Sequence, residues 1–169
     1  MDWKRYLAGG MLALAVAGSA GGAMAGDAEL AVLQSFMGSY NGKVILIEPD
    51  KRSEFDCRLT ISKGNRGKVV FNAKCPLVAG NGAIGYNDAA GRYEIAITTS
   101  ADFSAAAAGT VDGDGVKFAV NHHDTNKKGE TLDMNARITF NGAAVLIGFD
   151  ANFDGKPWTG SLNFARSGG

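Results

Sequence analysis

The sequence predicts an all-β protein, an antiparallel up-and-down β-barrel of about ten strands with a short N-terminal helix. Apolar and polar residues alternate along most of the chain, which is the pattern of strands with one buried face. Short clusters of Gly, Asn, Asp and Pro separate the alternating runs, as in successive hairpins. Closing such a sheet into a barrel buries the apolar face and removes exposed edges. A two-sheet sandwich is the alternative.

The clearest hairpin flanks Asn141-Gly142, a dipeptide typical of two-residue turns. Every second residue is apolar over 132–140 and again over 145–153, so each run has one apolar face. A turn centred on Asn141 and Gly142 sets the register of the two strands. The predicted inward pairs are Ile138 with Val145, Ala136 with Ile147 and Met134 with Phe149.

The elements follow in order along the chain. Asp27 is predicted to cap a short helix with Leu30, Leu33 and Met37 on one stripe, closing one end of the sheet. The span 99–108 is the least clear, because its run of alanines suits a strand, a loop or a helical turn. Strands are predicted over residues 39–48, 54–63, 68–75, 82–87, 92–99, 105–111, 116–123, 130–140, 143–153 and 158–166.

Residues 1–25 have the layout of a secretory signal peptide. A basic start precedes an apolar stretch over 7–22 and the small-x-small cleavage motif Ala23-Met24-Ala25. The stretch is short and rich in Gly and Ala, which favours cleavage over an uncleaved membrane anchor. We therefore expect one mature domain over 26–169, periplasmic or secreted, with no stable membrane insertion after cleavage.

Cys57 and Cys75 are the two cysteines of the chain and are predicted to form a disulfide. An even count in an exported chain favours a bridge. Pairing Ile61 with Phe71 across a three-residue loop that ends in Gly67 places the cysteines opposite each other. A metal site would need further ligands, and a redox site would need a C-x-x-C motif.

Other function classes find little support in the sequence. The chain has 17 basic and 17 acidic residues, so charge gives no reason to expect nucleic acid as a partner. The glycines over 80–85 fit a dinucleotide motif, but no helix follows them. The acidic stretches 112–115 and 124–126 are better interpreted as hairpin turns than as calcium loops. With no nucleophile elbow either, we expect no enzyme, no cofactor and no metal.

Two short motifs resemble a known family. Residues 37–42 resemble the Gly-x-Trp signature that opens lipocalin-like (calycin) barrels, with Tyr40 in the place of the tryptophan. Arg166, late in the last strand, is placed like the basic residue that such barrels lay across that aromatic ring. The resemblance implies that Tyr40 and Arg166 pack together and close one end of a barrel.

The second motif is the glycine-rich run 80–87, followed by Gly91-x-Tyr93. It is similar to a run found in a bacterial family of lipocalin-like proteins of unknown function. That family is related in shape to nitrobindin and to the fatty-acid-binding barrels. The resemblance covers roughly residues 30–166 and implies the fold. The haem binding of nitrobindins depends on a histidine that these motifs do not identify.

The chain has two histidines, His122 and His123, adjacent in a predicted strand. Successive strand residues face opposite sides, so alternation from Phe118 and Val120 puts His122 inward near a barrel mouth and His123 outward. An inward histidine could ligate haem iron or titrate near neutral pH. A hydrogen-bonded or solvated residue at the rim is the simpler interpretation.

We expect an exported binding protein for a small apolar or amphipathic ligand held inside the barrel. The alternative is a filled scaffold that acts through its surface as a protein partner or inhibitor. A cavity of several hundred Å³ favours the first and a solid core favours the second. The oligomeric state and the ligand stay open. The predicted ligand-binding residues share the inward face of three consecutive strands: Phe118, Val120, His122, Met134, Ile147 and Phe149.

Overall fold

The computed structural model describes residues 26–168 and shows a closed barrel of ten antiparallel strands. Each strand pairs with its neighbours in sequence, and the first strand pairs with the last. The predicted up-and-down barrel with an N-terminal helix is confirmed, and the sandwich is excluded. The predicted signal peptide, residues 1–25, lies outside the described residues. The elements are α1 (Asp27–Ser35), β1 (Gly38–Glu48), β2 (Lys51–Lys63), β3 (Val69–Lys74), β4 (Ala79–Asn87), β5 (Arg92–Thr99), β6 (Ser104–Asp112), β7 (Gly115–Thr125), β8 (Thr131–Phe140), β9 (Ala144–Phe153) and β10 (Lys156–Arg166).

The barrel has two different ends. The helix end carries α1, the start of β1, the end of β10 and the hairpins β2–β3, β4–β5, β6–β7 and β8–β9. The opposite end, here called the mouth, carries the other five connections. Among residues 26–168, no helix is long and apolar enough to cross a membrane.

The register of the β8–β9 hairpin differs from the prediction by two residues. Ile138 faces Ile147 instead of Val145, and Met134 faces Ala151 instead of Phe149. The cause is the turn, because Asn141 pairs with Ala144 (amide to carbonyl, 3.0 Å) and the loop is centred one residue later than predicted. The Asn141 side-chain oxygen accepts hydrogen bonds from two amides of this turn. An even shift leaves the inward residues inward.

The start of α1 also differs from the prediction. Gly26, not Asp27, occupies the N-cap position, and no side chain caps the helix. Asp27 is the first helical residue, where its charge still suits the positive end of the helix. Leu33 is buried as predicted, and Phe36, just after the helix, is fully buried and packs 5.7 Å from the Phe140 ring.

Tyr40 and Arg166 meet at the helix end, as the family resemblance implied. The two residues are cross-strand partners in the β1–β10 pairing that closes the barrel. The guanidinium lies 5.3 Å from the centre of the Tyr40 ring and donates a hydrogen bond to its hydroxyl (3.0 Å). Burial raises the pKa of Tyr40, and the nearby Arg166 charge partly opposes this. The predicted packing of this pair is therefore confirmed.

The predicted disulfide between Cys57 and Cys75 is present. Ile61 pairs with Phe71 as predicted, and the loop that joins β2 to β3 contains Gly67 in a left-handed conformation (φ +73°).

The glycine-rich run in β4 is explained by close packing. A side chain at Gly82 would collide with the Ala96 carbonyl and the Phe71 ring, so only glycine fits there.

Candidate binding site inside the barrel

Burial of the inward side chains decreases from the helix end to the mouth. Near the helix end, inward residues such as Ile84, Val116 and Phe118 are buried to 99% or more. Towards the mouth, inward residues such as Ile97 and Met134 are apolar but only half-buried. The interior side chains are therefore fully buried near the helix end and partly exposed to solvent near the mouth.

An internal cavity of about 150 Å³ extends from the β3–β4 connection at the mouth to core residues near the helix end, such as Phe140 and Val145. Its wall comes from β2 to β5 on one side and from β8 to β10 on the other. Its lining is almost entirely apolar and includes Phe71, Ile97 and Leu162. Val78, in the β3–β4 connection, also lines the cavity and is 40% exposed, so this connection borders both the cavity and solvent.

The six predicted ligand-binding residues all lie on inward positions, but they do not share one site. Ile147 lines the cavity. Phe118 and Val120 are each 1% exposed and belong to the packed core. His122, Met134 and Phe149 are half-buried and lie nearer the mouth. Alternation therefore identified the inward face, whereas the position of the cavity depends on how strands that are distant in sequence pack across the interior.

His122 points inward near the mouth, while His123 points outward and contacts the exposed carboxylate of Asp133. The His122 side chain is 18% exposed, and its Nε2 atom is buried without a hydrogen-bond partner. The nearest carboxylate oxygen, Oδ2 of Asp124, is 3.5 Å away, beyond an ordinary hydrogen bond. Asp124 also accepts hydrogen bonds from the Ser104 and Thr125 amides. The hydrogen bond from the Ser104 amide is the largest of the interactions that lower the pKa of Asp124.

Phe103 covers part of the mouth, a feature that the sequence did not reveal. It lies just before β6, is 6% exposed, and its ring meets Phe153 edge-to-face at 6.0 Å. The connection that carries it is tied to the β7–β8 connection, because the Asn126 side chain donates to the Ala101 carbonyl (3.1 Å). Asp102 in this connection has a positive φ of 62°, which is unusual for a residue other than glycine.

The wall of the barrel is least continuous between β6 and β7. Only four residue pairs join these strands, Gly109–Asp112 with Gly115–Phe118, whereas every other pairing has six or more. Residues 104–108 therefore face residues 119–125 without a ladder, and we call this stretch the β6–β7 seam. The Asp124 side chain crosses it to the Ser104 amide (3.4 Å).

Two larger grooves, of about 830 and 820 Å³, lie on the outer surface and are open to solvent. Polar outward residues border both, for example Arg92 and Glu94 on one and Asn121, Asn135 and Asp150 on the other. The interior cavity is smaller, but it lies inside the barrel and its lining is almost entirely apolar. It is therefore the better site for an apolar ligand.

The interior does not fit a haem group. Cofactor pockets usually measure about 300 Å³ or more, and His122, the inward histidine, does not line the cavity. Across residues 26–168, no group of three or more His, Cys, Asp or Glu side chains is placed to hold a metal ion.

Comparison with known proteins supports the fold. No family model matches the chain, and no curated protein matches it. The solved structure of Rv2717c from M. tuberculosis is similar, with a TM-score of 0.59, 11% sequence identity, and coverage of 82% of this chain and 97% of that one. A protein of unknown function of the DUF3598 family from Nostoc punctiforme aligns less well, with a TM-score of 0.38, 10% identity, and coverage of 80% of this chain and 49% of that one. At this identity the likeness to Rv2717c shows that the two proteins share a barrel fold.

Proposed function

We propose that the protein is an exported binding protein that holds one small apolar or amphipathic molecule inside its barrel. The observation that carries this proposal is the apolar cavity of about 150 Å³ inside the barrel. A cavity of about this size lined by Leu, Ile and Phe binds benzene or xenon in another protein. The cavity size limits the ligand to a molecule far smaller than a long-chain lipid.

Export is part of the proposal and has two supports. The Cys57–Cys75 disulfide suits an oxidising compartment, and residues 1–25 have the composition of a signal peptide. We propose binding rather than catalysis, because the cavity wall is formed by side chains such as Phe71, Ile97 and Leu162, which carry no acid, base or nucleophile.

Toluene binding, followed by NMR shifts of cavity methyl groups, tests the proposal. Ala73 lines the cavity, so Ala73→Leu should fill part of it and weaken toluene binding at least about tenfold. Ala165→Leu adds the same atoms to an exposed position on β10 and should leave the affinity unchanged. If the folded wild type binds neither toluene nor xenon at saturating concentration, the proposal is wrong.

A filled scaffold that acts through its surface is the second candidate. The closely packed helix end favours it, as does a cavity smaller than the usual ligand pocket of about 300 Å³ or more. The same titration separates the two functions, because a scaffold requires no ligand in the interior.

A further inference from the structure

Val78, in the connection between β3 and β4, lies between the cavity and solvent. It is 40% exposed, and among the described residues that line the cavity it is the one exposed residue. Its neighbour Leu77 is 59% exposed. Of the whole cavity wall, this connection is therefore the part that borders solvent most directly.

Few interactions hold the connection against the rest of the barrel. The ladder between β2 and β3 ends at the pair Arg58–Lys74, so β2 offers the connection no backbone partner beyond that position. On the other side, Lys74 pairs with Ala79 at the base of the connection. Across residues 26–168, the connection's own hydrogen bond is internal and runs from the Cys75 amide to the Val78 carbonyl (3.2 Å). Segments with few contacts to their surroundings open at a low free energy.

The Cys57–Cys75 bridge is the exception, because it joins the connection covalently to β2. It lies one position past the last ladder pair of β2 and β3. Cys75 also lines the cavity, so the bridge is part of the cavity wall beside the exposed turn. A disulfide keeps its two Cα atoms within about 7 Å of each other. The bridge therefore limits how far the connection can move away from β2.

We propose that the β3–β4 connection, residues 75–78, is the gate through which a ligand enters the cavity, and that the Cys57–Cys75 bridge keeps this gate closed. The inference rests on the proposed function and names the regulation of the same site. In the oxidised protein the gate opens rarely and ligand exchange is slow. In the reduced protein the gate opens more often and exchange is faster.

A dithiol is the reductant that would release the gate. Cys75 is half-buried and Cys57 is 2% exposed, so the sulfur of Cys75 is the one that a reductant can approach. A thiolate of the dithiol attacks this sulfur, the bond to the Cys57 sulfur breaks, and Cys57 takes up a proton. The second thiol then displaces Cys75 as a thiol. The dithiol ends as a disulfide, and two electrons and two protons have passed to the protein.

Association and dissociation rates of toluene, measured by NMR exchange at the methyl groups of Ile97 and Ile147 in the cavity, test the gate. Val78→Ala removes two partly buried methyl groups and should raise the association rate about fivefold, equivalent to about 1 kcal/mol in the free energy of opening. Val70→Ala is the matched control. Val70 is 39% exposed, nearly the same as Val78, but it does not line the cavity, so its loss should leave both rates unchanged.

Reduction of the wild type with dithiothreitol tests the bridge. Both rates should rise by the same factor, at least as large as that of Val78→Ala, and the affinity for toluene should stay the same because the closed state still predominates. A general loosening of the cavity would weaken the affinity instead. The dispersion of the methyl spectrum shows whether the reduced protein is folded.

The outcomes separate the gate from the binding function. If toluene binds but Val78→Ala leaves its rates unchanged, the gate is wrong and the binding function stands. If Val78→Ala speeds exchange whereas reduction of the protein does not, or reduction unfolds the barrel, the proposed role of the bridge is wrong. If toluene does not bind the folded wild type, the binding function fails and the gate fails with it.

Discussion

Arg166 joins three parts of the helix end through its guanidinium group. It donates hydrogen bonds to the carbonyl of Ser35, the last residue of α1, to the Gly142 carbonyl in the β8–β9 turn (2.7 Å) and to the Tyr40 hydroxyl. Tyr40 in turn donates to the Phe36 carbonyl (2.6 Å). The pair therefore connects the helix to the first strand, the last strand and a hairpin.

We expect Tyr40→Leu and Arg166→Met to be energetically coupled, because each removes a partner of the same stacked and hydrogen-bonded contact. The coupling should be about 0.5–2 kcal/mol in a double-mutant cycle measured by urea unfolding. Arg92→Met gives a control, since Arg92 forms an exposed ion pair with Glu94 and should not couple to Tyr40. Strictly additive effects of the two substitutions would show that the contact contributes nothing to stability.

The sequence predicted well which face of the sheet each side chain lies on, because successive residues in a strand point to opposite faces. His122 lies inward and His123 outward for this reason. The two-residue register shift at Asn141 left the faces unchanged. The cavity was not predictable in the same way, since Ile147 is the single predicted ligand-binding residue that lines it. The lining depends on side-chain packing across the interior, which a local pattern does not contain.

At the scale of elements, the β6–β7 seam is the main departure from a continuous barrel. Strand boundaries could be predicted from turn residues, and most predicted boundaries lie within a few positions of those in the structure. The run of alanines over 105–108 fell in the least clear span, 99–108, and the structure confirms the predicted strand there, as part of β6. Whether a ladder forms on both edges of a strand depends on the neighbouring strand, so the seam has no local sequence signal.

The seam predicts faster hydrogen exchange in β6 than in β8. Amides over 104–108 that face β7 lack ladder partners, whereas β8 is paired along nearly its full length on both sides. Asp124→Asn should increase exchange at Ser104 further, because a neutral amide oxygen accepts a weaker hydrogen bond than a carboxylate. Mass spectrometry of exchanged peptides measures both effects. Equal protection of the two strands would mean that the seam is closed in solution.

At the scale of the whole molecule, closure follows from the requirement to bury one apolar face on every strand. The sequence contains that requirement, and the pairing of β1 with β10 meets it. The residues that pair between β1 and β10 are therefore far apart in sequence, and bringing them together has a large entropic cost during folding. A covalent link between two strands reduces the freedom of the unfolded chain and so offsets part of that cost.

The Cys57–Cys75 bridge should therefore stabilise the whole barrel rather than one hairpin alone. The two residues are separated by 18 positions, and a loop of about this size predicts a loss of about 3 kcal/mol in the free energy of unfolding when the bridge is removed. Urea unfolding of oxidised wild type against a Cys57→Ala, Cys75→Ala double variant measures this loss. Reduced wild type is the matched control, because it retains both sulfur atoms and lacks only the bond. If the oxidised and reduced wild type unfold at the same urea concentration, the bridge does not stabilise the fold. If the reduced protein is as stable as the oxidised protein while the double variant is not, the loss comes from packing around Cys75 at the cavity wall.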